Sequence, residues 1–168
     1  TVTISTTTAT VTEGGSIVYT ATASNPVTGS ALVVTLSNGQ TITIPVGQSS
    51  ASSAAFAVRA DDAYVQGTQT LNVTITGTAG GSYEAITPTG PATTNVTDDA
   101  DASTVTITAS AAGVTEGGSI TYTVSVNNAV TGTPLAITLT NGQTITIPVG
   151  QSSATGAAFA VRADDVYV

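Results

Sequence analysis

Residues 32–44 read LVVTLSNGQTITI, and this stretch decides the fold class. Two runs of alternating apolar residues, rich in Val, Ile and Thr, flank the Asn38-Gly39 pair, and such runs are typical of β-strands. An Asn-Gly pair between them is a strong hairpin signal, because a type I′ turn requires φ > 0 at both central residues. The stretch therefore predicts a β-hairpin closed by a type I′ turn.

The hairpin recurs at residues 135–147, 103 positions further on. Aligning residues 1–65 with residues 104–168 gives about 46 identical positions of 65 without a gap. A period of about 100 residues is a whole domain and not one turn of a solenoid. We therefore predict a complete repeat over residues 1–102, with an acidic linker at 97–102. A second repeat over 103–168 is expected to stop after its fifth strand.

Seven short runs of strand-like alternation follow one another in the first repeat, with Gly, Pro and Asn between them, and no helical periodicity interrupts them. The expected strands are Val2–Ile4, Ile17–Ala23, Leu32–Leu36, Thr41–Ile44, Ala55–Val58, Leu71–Ile75 and one within Tyr83–Val96. Pro88 and Pro91 in the last run indicate an edge position or a bulge. This spacing predicts an all-β fold of tandem Ig-like (Greek-key), seven-stranded antiparallel β-sandwiches joined end to end.

The composition excludes several classes of function. Only 7% of residues are charged and 40% are hydrophobic, which favours a folded protein over a disordered one. Arg59 and Arg162 are the two cations, so no basic patch for nucleic acid is present. Because His and Cys are absent, the chain has no imidazole or thiol for catalysis or for zinc, and no disulfide. The fold must be held by its core, or by its core together with a metal.

The sequence also carries expectations about location. No apolar run is long enough to span a bilayer, so we expect no direct membrane insertion, and no signal peptide is visible. The chain opens in the middle of a strand-like pattern and reads as a piece of something longer. The lack of oxidation-prone Cys and Met suits an extracellular protein.

Nine of the ten acidic residues lie in three recurring places, which is unusual in a chain with so few charges. They follow the first strand of each repeat, the fifth strand of each repeat, and the seventh strand of the first repeat. In chain order they are Glu13, Asp61, Asp62, Asp98, Asp99, Asp101, Glu116, Asp164 and Asp165. The tenth, Glu84, is expected at the opposite end of the first domain, facing solvent.

These three places meet at one end of a sandwich whose strands alternate in direction. The first six acids, Glu13 to Asp101, are therefore expected to converge where the second domain begins. Two carboxylates 4 Å apart repel by about 1 kcal/mol in water and about 4 kcal/mol at an effective dielectric of 20, and only Arg59 is near enough to offset this. Ca²⁺ takes six to eight oxygen ligands and suits such a cluster. The amides of Asn127 and Asn128 could complete the shell, and Glu116, Asp164 and Asp165 are half of a second site.

The arrangement of a Glu in the first loop, acids after the fifth strand and an Asp-rich linker resembles the calcium junctions between cadherin domains. The motifs VTEGGS at 11–16 and TTNVTDDAD at 93–101 are similar to those of Ig-like extender repeats in large bacterial RTX-type biofilm adhesins. This resemblance implies an extracellular or cell-surface stalk protein, exported by type I secretion, whose interdomain linkers are rigidified by Ca²⁺. It implies neighbouring repeats as partners, with homotypic or surface contacts elsewhere in the parent protein.

Two other classes of function, a binding module and an enzyme, fit the sequence less well than a stalk. A glycan- or surface-binding Ig-like module, similar to a Calx-β domain, would use its loops for recognition. Near-identity of adjacent copies and an aromatic content of 4% argue against it. An enzyme would need a catalytic pair, and the adjacent Asp61-Asp62 have neither the geometry nor an aromatic platform for glycoside hydrolysis. The sequence therefore predicts a protein that is not an enzyme.

Overall fold

The computed structural model describes residues 1–164, and within that range the chain forms only β-strands and their connections. The all-β prediction is confirmed. Contacts divide the chain into two compact units, Thr1–Ala100 (unit 1) and Asp101–Val168 (unit 2). Among the described residues no helix is long or apolar enough to cross a membrane.

Unit 1 contains twelve short strands, several of which continue one another across a single residue or a short break. They are β1 Val2–Thr6, β2 Thr10–Thr12, β3 Ser16–Ile17, β4 Tyr19–Ala23, β5 Leu32–Leu36, β6 Thr41–Ile44, β7 Ser50–Ser52, β8 Phe56–Ala57, β9 Gln69–Val73, β10 Ile75–Ala79, β11 Pro88–Thr89 and β12 Ala92–Thr97.

The strands of unit 1 form two sets. In the first, the order is β11-β1-β4-β7, and the β3–β8 pair extends the same two chain segments that pair as β4–β7. In the second, the orders β2-β12-β9 and β10-β5-β6 are joined because only Thr74 separates β9 from β10. Within both sets buried and exposed residues alternate along the longer strands, as in strands with one face on a core.

The prediction of a wholly antiparallel arrangement is wrong at two pairs. β11 pairs with β1 in parallel, and β12 pairs with β2 in parallel. The reason is topological, because the first and last segments of unit 1 run in the same direction after six reversals of the chain. The sequence reading also missed β2 altogether, since three residues are too few to show alternation.

One hydrophobic core lies between the two sets. Its buried members come from both, including Tyr19 on β4 and Leu32 on β5, neither of which has exposed area. Tyr19 also contacts Phe56, with ring centroids 6.4 Å apart and the rings tilted by 56°. The buried residues of this core cluster are Val2, Ile4, Ile17, Tyr19, Ala21, Ala23, Val27, Leu32, Val34, Leu36, Ile42, Ile44, Val73 and Ala92.

The hairpin of residues 32–44 is present as β5–β6, but its turn differs from the predicted type I′. No residue other than glycine has a positive φ among the described residues, so Asn38 does not adopt the conformation that a type I′ turn needs. Instead the Gly39 N–H donates to Leu36 O at 3.0 Å and Gly39 takes φ +85°. The Asn38 Oδ1 accepts from Gln40 N at 3.1 Å. The loop is one residue longer than predicted, so the left-handed conformation is needed only at the glycine.

One strand prediction differs from the structure, and one predicted break is present. The fifth strand begins earlier than expected, as β7, because a Ser-Ala-Ser run carries no apolar alternation to reveal it. The break indicated by the prolines is real, and it separates β11 from β12. The remaining predicted strands match observed ones to within a few residues at their ends.

Unit 2 repeats the first part of this arrangement with the same registers. Its strands are β13 Val105–Ala109, β14 Ser119–Ile120, β15 Tyr122–Val126, β16 Leu135–Thr138, β17 Thr144–Ile147, β18 Ser153–Thr155 and β19 Phe159–Ala160. They pair as β13-β15-β18, β14-β19 and β16-β17. The described buried core of unit 2 is smaller than that of unit 1 and consists of Val124, Ile145 and Ile147.

Candidate metal centre

Three segments of unit 1 are brought together by backbone hydrogen bonds at the turn between β2 and β3. Glu13 N donates to Thr97 O at 3.0 Å, which ties the turn to the end of β12. Gly14 N donates to Arg59 O at 2.8 Å, which ties it to the segment after β8. These backbone hydrogen bonds bring the acidic residues of the three segments close to one another.

Gly14 permits the close approach of the turn to the segment after β8. Its φ is +72°, a conformation that L side chains rarely adopt, and a Cβ placed on it would lie 2.9 Å from the Cβ of Asp61. Gly14, the first glycine of the TEGGS motif, therefore allows Asp61 to lie beside Glu13.

Glu13, Asp61 and Asp99 form the candidate centre. Each offers one carboxylate oxygen, and these three oxygens all lie within 4.8 Å of one another. Two oxygens bound to one Ca²⁺ at 2.3–2.6 Å are at most roughly 5 Å apart, so the spacing is compatible with a shared ion. Glu13 is buried whereas Asp61 and Asp99 are exposed, so the group is open to solvent on one side. It is the one group of three or more such ligands within residues 1–164.

Arg59 holds the buried carboxylate from the protein side. Its Nε donates to Glu13 Oε2 at 2.7 Å, and its Nη1 donates to Gly67 O at 2.7 Å. Its Nη2 lies 3.7 Å from Asp98 Oδ1. The Glu13 side chain has no exposed area, and that of Arg59 is 17% exposed. The only cationic side chain of unit 1 is therefore paired with Glu13 of the candidate centre and lies near Asp98.

One carboxylate oxygen of Glu13 lacks a hydrogen-bond donor. Its Oε1 is buried and has no hydrogen-bond partner among the described residues. Burial raises the pKa of Glu13 above its ordinary value of 4.5, the hydrogen bond with Arg59 lowers it, and Asp98 raises it further. A buried carboxylate oxygen without a donor is energetically unfavourable. It is the feature of this site that a cation would relieve.

Asp62 and Asp98 are not members of the candidate centre, and Gln66 connects them by donating a hydrogen bond to each carboxylate. The Asp62 oxygens accept from Tyr64 N at 2.9 Å and from the Gln66 side-chain amide. Asp98 Oδ2 accepts from Gln66 N at 2.8 Å. Sequence reasoning missed Gln66, because it lies just beyond the residues that the two repeats share. The sequence signal that could have identified Gln66 is its position one residue before Gly67, at the end of the loop that carries Asp61 and Asp62.

Four more of the predicted residues are Asp101, Asn128, Glu84 and Asp165. Asp101 and Asn128 belong to unit 2, where Asp101 is exposed and Asn128 half-buried. The Oδ1 of its neighbour Asn127 accepts from Thr104 N at 2.9 Å, so that amide holds the start of unit 2. Glu84 is exposed, as expected. Asp165 lies outside the described residues.

Unit 2 has the same turn without the same burial. Glu116 is 2.8 Å from Arg162 Nη2, and a Cβ on Gly117 would lie 3.0 Å from the Cβ of Asp164. The side chains of Arg162 and Glu116 are 74% and 24% exposed, against 17% and 0% for Arg59 and Glu13.

A family model described as LapA domain matches the chain twice, over residues 1–99 and over residues 101–168. No curated protein matches the chain. The two matched ranges coincide closely with the two units that the contacts define.

Proposed function

Because the chain belongs to the LapA domain family, we propose that it is a pair of extender repeats from the stalk of a cell-surface or secreted bacterial adhesin, rigidified by Ca²⁺. The family is adhesin-associated, which points to a non-enzymatic structural protein at the cell surface or outside the cell. Two successive family matches in one chain support a repeated module whose role is to lengthen the stalk.

We propose an Ig-like β-sandwich for the complete repeat. Three observations support it: two sets of strands share one core, β1 and β2 from the same segment join different sets, and β12 pairs in parallel with β2. The rigidity of such a sandwich suits a spacer, because a core of interlocked side chains has low compressibility.

The observation that carries the calcium proposal is the buried Glu13 carboxylate, one oxygen of which lies within 4.8 Å of carboxylate oxygens of Asp61 and Asp99, and whose Oε1 has no hydrogen-bond partner. Carboxylate oxygens are hard ligands, which favour Ca²⁺ or Mg²⁺ over softer metals. Mg²⁺ demands near-ideal octahedral geometry at 2.0–2.1 Å, whereas Ca²⁺ tolerates irregular shells that are completed by carbonyls and water. A partly open group of three acids fits Ca²⁺ better.

The stiffening would come from the position of Asp99 in the chain. Asp99 lies two residues before unit 2 begins, while Glu13 and Asp61 lie on loops fixed to the body of unit 1. With no cation bound, repulsion among the carboxylates favours release of the segment around Asp99. A bound Ca²⁺ supplies the positive charge that holds this segment against unit 1. Fewer conformations are then open to the connection between the repeats.

Calorimetry with Ca²⁺ and with chelator tests the site. At a calcium concentration about 100 times the Kd, a site present only in the folded state stabilises it by about 2.7 kcal/mol. Extracellular calcium modules have Kd values of about 10⁻⁴–10⁻³ M. Asp61→Asn and Asp99→Asn should each remove most of this shift. Glu84→Gln, which removes one charge from an exposed position, is the matched control and should keep it. Equal shifts in all four proteins, or a larger shift with Mg²⁺, would count against a calcium site.

Solution scattering tests the stiffening separately. The maximum dimension of the chain should become more sharply defined in Ca²⁺ than in chelator, and Asp99→Asn should remove the difference. If Ca²⁺ raises the unfolding temperature without changing the scattering, the ion stabilises unit 1 but does not stiffen the stalk.

A further inference from the structure

The first and last strand segments of unit 1 run side by side in the same direction. β2 pairs in parallel with β12, from Thr10 opposite Asn95 to Thr12 opposite Thr97, and we call this pairing the β2–β12 ladder. β1, which precedes β2 in the chain, pairs in parallel with β11, which precedes β12. The chain therefore enters unit 1 at the start of these paired strands and leaves it at their end. Tension between the two ends of unit 1 pulls β2 and β12 past each other along their axes.

The direction of this pull decides how many hydrogen bonds must break together. When two strands slide along each other, all the bonds between them are stretched at the same time. When two strands are separated from one end, the bonds break one after another, and each in turn bears the whole force. Forced unfolding is governed by the rate of crossing the unfolding barrier, so bonds that must break together slow it. A parallel pair that joins the first and last segments of a domain is therefore well placed to resist tension between its ends.

Two hydrogen bonds extend the β2–β12 ladder beyond its start. Asn95 N donates to Ala9 O at 3.0 Å, and Thr94 Oγ1 donates to Thr8 O at 2.6 Å. Thr94 is 1% exposed, so the second of these bonds is shielded from water. Inside a protein a hydrogen bond is electrostatically stronger than in water. The side chain of Thr94 thus strengthens the ladder at the end where β2 begins.

The other end of the ladder is closed in a similar way. Glu13 N donates to Thr97 O at 3.0 Å, and Thr97 Oγ1 donates to Val11 O at 3.4 Å. On the inner side Val96 has no exposed area, and Val11 is half-buried and packs against the core. These apolar side chains keep water away from the inner side of the ladder.

We propose that the β2–β12 ladder, together with the hydrogen bond from Thr94 to Thr8, is the element that keeps unit 1 folded under tension. The inference rests on the proposed stalk function, because a stalk is pulled at its ends, but it requires no bound metal. The ladder must yield before the core between the two sets of strands opens. Among the described residues β6 pairs only with β5, so a change on β6 should lower equilibrium stability without weakening the resistance to tension.

Single-molecule pulling of the full chain in chelator tests the direction of the force. Because the chain has no cysteine, introduced cysteine pairs are unique points of attachment. Thr1→Cys with Ala100→Cys stretches the ladder lengthwise, whereas Thr7→Cys with Thr93→Cys separates β2 from β12 at their start. Since a net hydrogen bond corresponds to roughly twofold to tenfold in rate, unfolding at the same force should be at least about tenfold slower in the first geometry. Equal rates in the two geometries would overturn the proposal.

Substitutions separate the ladder from the general stability of unit 1. Thr94→Val removes the buried hydroxyl that binds Thr8, whereas Thr93→Val removes an exposed hydroxyl that donates to Asn72 on β9. Ile42→Val shortens a core side chain on β6 and lowers the equilibrium stability away from the ladder. Pulled lengthwise at the same force, Thr94→Val should unfold about tenfold faster than the wild type, and the other two variants less than about twofold faster.

Denaturant unfolding of the same variants gives the equilibrium free energy for comparison. If the buried hydroxyl only stabilised the fold, the rate of forced unfolding would follow this free energy in all three variants. Acceleration by Ile42→Val equal to that by Thr94→Val would therefore overturn the mechanical role of the ladder. Because every pulling measurement is made in chelator, its outcome is independent of the calcium site, whose failure would appear in the calorimetric shifts and the scattering instead.

Discussion

At the scale of single residues, the pair of Glu13 and Arg59 explains how unit 1 keeps a carboxylate inside the protein. Burial disfavours the charge of Glu13, and the guanidinium partly offsets that cost. Only one of the two Glu13 oxygens receives the Arg59 Nε–H, so the compensation is incomplete. The ion pair with Arg59 therefore stabilises the buried Glu13 carboxylate in the folded protein, while the second oxygen, Oε1, remains without a donor.

Replacing Arg59 should be far more harmful than replacing its counterpart. Arg59→Gln leaves a buried carboxylate without its partner, and we expect the unfolding temperature of unit 1 in chelator to fall by more than about 4 °C. Arg162→Gln is the matched control, because its ion pair is exposed and such pairs contribute about 0–1 kcal/mol. Ca²⁺ should restore part of the loss in the first variant, since the ion replaces the missing positive charge. Equal effects of both substitutions would contradict this role.

The pH dependence of the metal-free protein should reflect the raised pKa of Glu13. A carboxyl whose pKa is higher in the folded than in the unfolded protein favours folding when it is protonated. The contribution of Glu13 to the free energy of unfolding should therefore increase as the pH falls from neutral and be complete below the ordinary pKa of 4.5. It is lost again as the pH rises through the folded pKa. Unfolding of the wild type and of Glu13→Gln measures it, because the other acids are common to both proteins. A pH-independent difference between the two would contradict it.

At the scale of elements, the TEGGS turn matters because two constraints coincide at one glycine. Gly14 needs both a positive φ and the absence of a Cβ beside Asp61. Gly39 in the β5–β6 turn needs only the first, because a Cβ there would meet no atom within 4 Å.

Alanine at these two glycines should separate the constraints. Gly39→Ala should cost about 1–2 kcal/mol for a left-handed alanine, without effect on calcium binding. Gly14→Ala should cost at least as much and should also weaken Ca²⁺ binding, by roughly 10-fold to 100-fold, as found when groups that orient ligands are changed. Thermal unfolding and calcium titration of both variants measure this. Calcium affinity unchanged in Gly14→Ala would show that Asp61 does not depend on the turn.

The strands β1 and β13 offer a second matched pair. Ile4→Ala removes a side chain buried in the core and should cost about 2–5 kcal/mol. Ile107→Ala, at a half-exposed position, should cost less than about 1 kcal/mol. Denaturant unfolding of each variant, followed by hydrogen exchange within the affected unit, gives the comparison. Similar losses would mean that β13 is covered in solution.

At the scale of the whole molecule, the two units should differ in stability although their shared residues are mostly identical. Unit 1 has a core built from both sets of strands, whereas the described core of unit 2 has three buried residues. We expect two unfolding transitions in chelator, with unit 2 unfolding first, and Ca²⁺ should raise chiefly the later one. Hydrogen exchange at increasing denaturant assigns each transition to its unit. A single cooperative transition would show that the units do not unfold independently.

Much of this protein follows from its sequence because the relevant physics is local. Alternation of Val, Ile and Thr predicted the strands, an exact spacing of 103 residues revealed the repeat, and acids confined to three places predicted the cluster of carboxylates at one end of unit 1. The sequence predicted the hairpin correctly but not its turn type. Because the loop has one extra residue, only Gly39 has a positive φ.

The tertiary structure decided what depends on residues far apart in the chain. It brought one carboxylate oxygen from each of Glu13, Asp61 and Asp99 within 4.8 Å of the others, although these residues lie on three separate segments of unit 1. It buried one oxygen of Glu13 beside an arginine 46 positions away, and it revealed Gln66 as the link between Asp62 and Asp98. Burial and carboxylate spacing depend on segments that are distant in the chain, so no local pattern in the sequence could reveal them.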